Sequence, residues 1–208
     1  MTKLALFGAG GFGREVLWQL EHAQTGPYDV LGFIDDNPDL LHKSINGVPV
    51  LGGVQWFSGY SGDIGVAICV GNPHIRREIY NKLESNPRIH FPTIIAGDVQ
   101  RSKFVDFGQG CIVCLSSVLT VNVRLGDFVV VSINCTIGHD AVLDDFATLF
   151  PSVTVSGNVH VGECTQIGTN TSIIQGVKIG ANSIIGAGAA VIRNIPEGCT
   201  AVGVPARM

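Results

Sequence analysis

His139 and Asp140 are neighbours in the run Ile137-Gly138-His139-Asp140. A carboxylate beside an imidazole fixes its tautomer and raises its basicity, as a general base working near neutral pH requires. A solvated histidine beside a solvated aspartate is the commonplace alternative, so the pair needs support from its surroundings. A second candidate is Gly8-Ala9-Gly10-Gly11-Phe12-Gly13, followed about twenty residues later by Asp35 and Asp36. Between a strand and a helix, such a turn aims backbone N–H groups at a diphosphate and a carboxylate at a ribose. A third, weaker signal is Gly71-Asn72-Pro73, which ends an apolar strand and opens a helix whose Arg76 and Arg77 would face the same crevice.

The elements around the two glycine signals alternate. Lys3 to Phe7 reads as a strand, Arg14 to Ala23 as a helix with Val16, Leu17 and Leu20 on one face, and Val30 to Ile34 as a second strand. Ile64 to Val70 is a buried strand and Ile75 to Leu83 a helix opened by Pro73. This order predicts a parallel sheet with crossover helices, a Rossmann-like half domain over residues 1–100.

A different rule governs residues 101–208. Charged side chains fall from 20 in residues 1–106 to 10 in residues 107–208. Every sixth residue from Phe107 to Val191 is Phe, Leu, Ile or Val, and the residue two places earlier is always small or Val, from Val105 to Ala189. A period of six fits neither an amphipathic helix nor an ordinary strand, because each unit must hold a short strand and a sharp turn. Three such units per coil predict a triangular prism of about five coils, a parallel β-helix with an aliphatic core.

That prism places the first candidate. His139 follows the inward Ile137 by two residues and so projects outward near a corner, and eighteen residues on, one coil away, stands Gly157. An imidazole beside a slot without a side chain gives a ligand room to approach.

Composition narrows the function. A net charge of −4 with no basic block excludes a nucleic-acid or anionic-membrane partner. No apolar run is long enough to span a bilayer and nothing resembles a signal peptide, so a cytoplasmic protein is expected. Its six cysteines are too sparse for a disulfide scaffold. After residue 107 the histidines are His139 and His160, too few for a three-imidazole zinc site, so no metal is expected. The glycine turn alone would suit an oxidoreductase, but about 95 residues are too few for a dinucleotide fold plus a catalytic domain.

Gly8-Ala9-Gly10-Gly11-Phe12-Gly13, Phe33-Ile34-Asp35-Asp36, Gly71-Asn72, Ile137-Gly138-His139-Asp140 and the ending Gly203-Val204-Pro205-Ala206 occur together and in this order. In this the chain resembles, over nearly its whole length, the bacterial sugar O- and N-acetyltransferases of surface-glycan synthesis in the hexapeptide-repeat, left-handed β-helix superfamily. The resemblance implies the left hand of the prism, a homotrimer, and acetyl-CoA bound along the β-helix between subunits. It makes His139 the base and Asp140 its acidic neighbour. It places the nucleotide part of the acceptor against Gly11, Phe12, Gly13, Asp35, Asp36 and Gly71. Acetyl-CoA falls near Thr148, Gly157, Thr169 and Ala187, with the Ala187 N–H on the thioester oxygen.

The resemblance further implies N-acetylation of a nucleotide-linked 4-amino-6-deoxy sugar. Sialic acid O-acetylation is the alternative, and a non-enzymatic nucleotide-binding trimer would leave the His139 corner unexplained. Phe12, Ser132 and Thr148 depart from the residues that bacillosamine-type members often carry there, which points to a different acceptor.

Overall fold

The structure, a computed structural model, describes residues 1–22 and 26–208. The first part is a six-stranded sheet built from β1 (Thr2–Phe7), β2 (Tyr28–Ile34), β3 (Ser44–Ile45), β4 (Val48–Gly52), β5 (Ile64–Ile68) and β6 (Ile89–His90), in the order β3-β4-β2-β1-β5-β6. All pairings are parallel except the β3–β4 hairpin, which carries no strong alternation in the sequence. Helices α1 (Gly11–His22), α2 (Trp56–Gly59) and α3 (Pro73–Leu83) complete this half. The glycine run therefore gives up its last three residues to the first turn of α1. Ala23, the expected helix end, lies outside the described residues.

Asn72 caps α3, its Oδ1 accepting from the N–H groups of His74 and Ile75 at 3.0 and 3.2 Å, and Pro73 follows where a missing N–H costs nothing. The buried face of β5 packs between β1 and α3, which fixes the loop from Gly71 at the carboxyl ends of the strands.

The second part is the prism, with three parallel sheets of seven, six and five strands. Strands paired within a sheet are eighteen residues apart, as in Val118↔Thr136 and Val142↔His160. From Val113 to Val191 the six-residue column is buried, and so is the small column from Val105 to Ala189. Polar members of the small column are satisfied: the hydroxyls of Ser117, Thr165 and Thr171 donate to the carbonyls of Ser132, Gly180 and Gly186 at 2.8–3.1 Å. The prism begins at Ile94–Ile95, two strands ahead of the column, and these complete a first coil with the strand ending at Phe107. Exposed Arg101 stands where an apolar residue would have continued the column, so the pattern hides this coil. Ile195, Ala201 and Ala206 from the tail close the far end of the core.

The sharp turns recur at one backbone position. Asn122, Asn134, Asp140, Asn158, Asn170 and Asn182 all have φ between 56 and 59°. Asn and Asp tolerate this left-handed conformation because a short polar side chain can bond locally. Phe128, Phe146 and Cys164 adopt it too, all along one edge, with φ of 53–59°. Bulky residues are strained there by about 1–3 kcal/mol each. At Phe128, contacts with the rings of Tyr80, Phe91 and Phe146, at about 0.5–1.5 kcal/mol each, offset that strain.

The three faces of the prism differ. On the seven-stranded face Ile94, Ile112, Val130 and Thr148 are covered by the first half of the chain. The six-stranded face presents Gln100, Val118, Thr136, Thr154, Ser172 and Ala190, without a charge. The five-stranded face presents Asp106, Arg124, Val142, His160 and Lys178.

Candidate active site

His139 and Asp140 sit on the edge between the uncharged and charged faces. Nδ1 of His139 lies 2.8 Å from Oδ2 of Asp140, so the ring N–H donates to the carboxylate and Nε2 keeps its lone pair. Half of the His139 side chain remains exposed. Asp140 is fixed from its other side by Asn122, whose Nδ2 donates to Oδ1 at 3.0 Å. The Asn122 hydrogen bond, then that of His139, holds the Asp140 carboxyl below the usual range. Asn122 is absent from the sequence reading, although it stands eighteen residues before Asp140. The stacking rule applied backwards would have found it.

Gly157 lies directly under the imidazole. A Cβ there would stand within 2.9 Å of three ring atoms of His139, so the slot is filled by the imidazole and is not open to a ligand. The glycine instead allows the ring to lie flat on the next coil.

The glycine turn lies at the far side of the docked face. The Gly8 N–H donates to Ile34 O at 2.7 Å, and a Cβ on Gly13 would overlap the Gly8 carbonyl, so this glycine permits the close approach of helix and strand. Around Gly10 and Gly11 there is open space. Both Asp35 oxygens are occupied by backbone, accepting from Ala9 N and Asn37 N at 2.9 Å each. Asp36 accepts from Val54 N at 2.8 Å and lies 3.7 Å from Lys82 Nζ. Both carboxylates thus brace the loops that border the crevice.

Arg76 does not face that crevice, contrary to expectation. It is fully buried, with Nε on Phe128 O at 2.9 Å and Nη2 on Phe146 O at 2.7 Å and Thr148 Oγ1 at 2.9 Å. Its Nη1 donates to Val70 O and Gly71 O at 2.6 and 3.2 Å. Burial pushes its pKa down to about 10, yet it stays charged because carbonyl oxygens surround it. Arg77 pairs with Glu163 and lies over the Phe146 ring at 4.9 Å. Both arginines thus reach the prism and dock the first half of the chain onto it.

Thr148 belongs to the same clamp. It is fully buried, and its hydroxyl donates to Gly71 O at 2.9 Å. Beside it opens a cavity of about 190 Å³, walled by Phe12 and Glu15 of α1, Gly71, and Ser132, Thr148 and Phe150 of the prism. The edge that closes this cavity, running through 132–134 and 150–152, also carries Thr169 and Ala187 one and two coils further on. Both are exposed, and the Ala187 N–H has no partner among the described residues.

Within one chain these groups fall into two places. Phe12, Gly71 and Thr148 converge at the cavity, with Gly11 and Gly13 flanking Phe12 in the first turn of α1, and Thr169 and Ala187 continue along its edge. His139, Asp140 and Gly157 stand on another edge, across the uncharged face. None of the cysteines is placed as a nucleophile: Cys135 is in the prism core with its thiol pushed up to about 11 by burial, and Cys164 is buried and raised for the same reason. Among the described residues no group of three or more His, Cys, Asp or Glu could hold a metal ion.

Comparison with known proteins defines the class. Residues 3–83 match the PglD N-terminal domain and residues 158–193 the bacterial transferase hexapeptide family of six repeats. The acetyltransferase domain of PglB from Neisseria gonorrhoeae, solved with acetyl coenzyme A, is 32% identical with a TM-score of 0.79, the match covering 99% of this chain and 98% of that one. A histidine mutant of perosamine N-acetyltransferase from Caulobacter crescentus, in complex with CoA and GDP-perosamine, is 26% identical with a TM-score of 0.89, covering 100% and 96%. WeeI from Acinetobacter baumannii is 28% identical with a TM-score of 0.88, covering 100% and 99%. No curated protein matches by sequence. The chain belongs to the hexapeptide-repeat sugar acetyltransferases with a left-handed β-helix, and it is an acyltransferase using acetyl-CoA.

Proposed function

We propose that this protein N-acetylates a nucleotide-linked 4-amino-6-deoxy sugar, with His139 as general base, for surface-glycan synthesis. The observation that carries this reading is the free Nε2 of an imidazole oriented by Asp140 and seated on Gly157, in a fold that matches perosamine N-acetyltransferase from end to end. The glycine turn and the Gly71 loop hold the nucleotide and diphosphate, and the inter-domain cavity takes the sugar.

The two groups of site residues meet only between copies. The uncharged face lies between the edge of His139 and the edge of Thr169 and Ala187, and Val121, Ile174 and Ile192 stand 39–47% exposed along the His139 edge. Packing that face around a threefold axis sets the His139 edge of one copy against the cavity edge of the next. The groove between them, with Gly157 on one wall and Thr169 and Ala187 on the other, fits the extended arm of acetyl-CoA. A homotrimer with shared sites follows.

In the reaction, the acceptor amine gives a proton to His139 Nε2 as its nitrogen attacks the thioester carbonyl. The new N–C bond forms, the C–S bond breaks, and coenzyme A leaves as a thiolate that takes up the proton held by His139. Asp140 stabilises the imidazolium in between, and the Ala187 N–H is positioned for the developing oxyanion. The test is thiol release from acetyl-CoA with a panel of nucleotide-linked 4-amino sugars and free sialic acid, with His139→Ala in parallel. Turnover of an amino sugar that collapses in the variant supports the reading. Turnover of sialic acid alone replaces it with O-acetylation.

A further inference from the structure

The cavity between α1 and the prism contains one ionisable group that the reaction does not use. Glu15 follows the glycine turn by half a helical turn and lines the cavity together with Phe12, Val130, Phe150 and Pro151. It makes no hydrogen bond or ion pair to any of the described residues. Partial burial raises its pKa above the ordinary carboxylate value, so the group gains from any ligand that supplies donors.

Three parts of an acceptor could lie there, and charge removes two. A diphosphate is repelled by a carboxylate, and its place is the open N-terminal turn of α1. An ammonium held against a carboxylate stays protonated and is no nucleophile, and the reacting nitrogen must in any case face His139. The hydroxyl groups of the hexose remain. A space of about 190 Å³ is below the usual range for a whole drug-sized ligand, which suits a single ring. Its apolar walls complement a ring that carries a methyl group where most hexoses carry a hydroxymethyl group.

We infer that Glu15 selects the acceptor, its carboxylate receiving hydrogen bonds from two ring hydroxyls of the hexose while Phe12 and Phe150 pack against the deoxygenated side. This rests on the proposed amino-sugar reading. Glu15 is a specificity residue that touches the substrate away from the reacting atoms, so its loss acts on acceptor KM more than on kcat.

The experiment compares the wild type with Glu15→Gln and Glu15→Ala under saturating acetyl-CoA, using a nucleotide-linked 4-amino-6-deoxyhexose and its analogue lacking one further ring hydroxyl. The expected result is an acceptor KM raised about ten- to a hundredfold in Glu15→Ala, with kcat and the KM for acetyl-CoA much less affected. The wild-type preference for the full sugar over the deoxy analogue should shrink in both variants. Glu15 is partly exposed, unpaired and partly desolvated, so thermal midpoints at or slightly above that of the wild type are expected and separate recognition from folding. An unchanged acceptor KM in Glu15→Ala, with an active wild type, overturns the inference and leaves the amino-sugar reading standing. If the wild type turns over no nucleotide-linked amino sugar, both fall together.

Discussion

In the proposed mechanism, three small residues set up the His139 base. Asp140 orients the imidazole, Asn122 orients Asp140, and Gly157 gives the ring a flat seat. Gly157→Ala should therefore remove activity without unfolding the prism, since no left-handed backbone is needed at 157 and the three atoms nearest the added methyl all belong to the His139 ring. A loss of at least about a hundredfold in kcat is expected, in keeping with displacing a general base. Steady-state kinetics and a thermal midpoint on the same sample check it. The Asp140 carboxyl is held down in the folded protein, so the charged pair persists as pH falls through the ordinary carboxylate range and is lost only below it. In Asn122→Ala the largest stabilising contact is gone, and carbon-detected NMR should show the Asp140 titration moved to higher pH.

At the level of elements, the joint between α3 and the prism carries the most weight. The buried guanidinium of Arg76 ties the carbonyls of Phe128 and Phe146 to those of Val70 and Gly71, and Thr148 closes the ring. Arg76→Met would leave several buried acceptors without partners, at about 1–3 kcal/mol each, so a loss of at least about 3 kcal/mol is expected in urea unfolding. Arg76→Lys should recover little of it, because an ammonium cannot reproduce the planar fork. In the sequence Arg76 and Arg77 look like anion-binding residues beside a glycine turn. What turns them to the prism is the rotation of α3 set by Ile79 and Leu83 against the sheet, which follows from packing.

Across the whole molecule, the proposed reading makes assembly part of catalysis, because His139 stands apart from the cavity within one chain. Two inactive chains should then complement each other: His139→Ala, which keeps the cavity, and Gly11→Asp, which puts a like charge in the proposed diphosphate turn. Gly11 has open space around its α-carbon, so that variant should fold. Co-expressed and purified as a mixture, the two should regain a measurable fraction of wild-type activity in mixed trimers. No recovery would mean that each chain carries a complete site.

The prism was legible in residues alone because one spacing rule repeats along it: every sixth position must be aliphatic when three short strands and three turns close each coil. The same rule carried His139 outward and found Gly157 beneath it, and the glycine turn announced a strand–helix junction from local backbone needs. Arg101 broke the pattern and hid the first coil, since a polar residue at an end turn is tolerated where the core is thin. The filling of the Gly157 slot by the imidazole, the commitment of Asp35, Asp36, Thr148 and Arg76 to internal bonds, and the free carboxylate of Glu15 were decided by tertiary structure. These depend on how two independently patterned halves meet, and no periodicity within either half encodes the distance between a helix face and a prism edge.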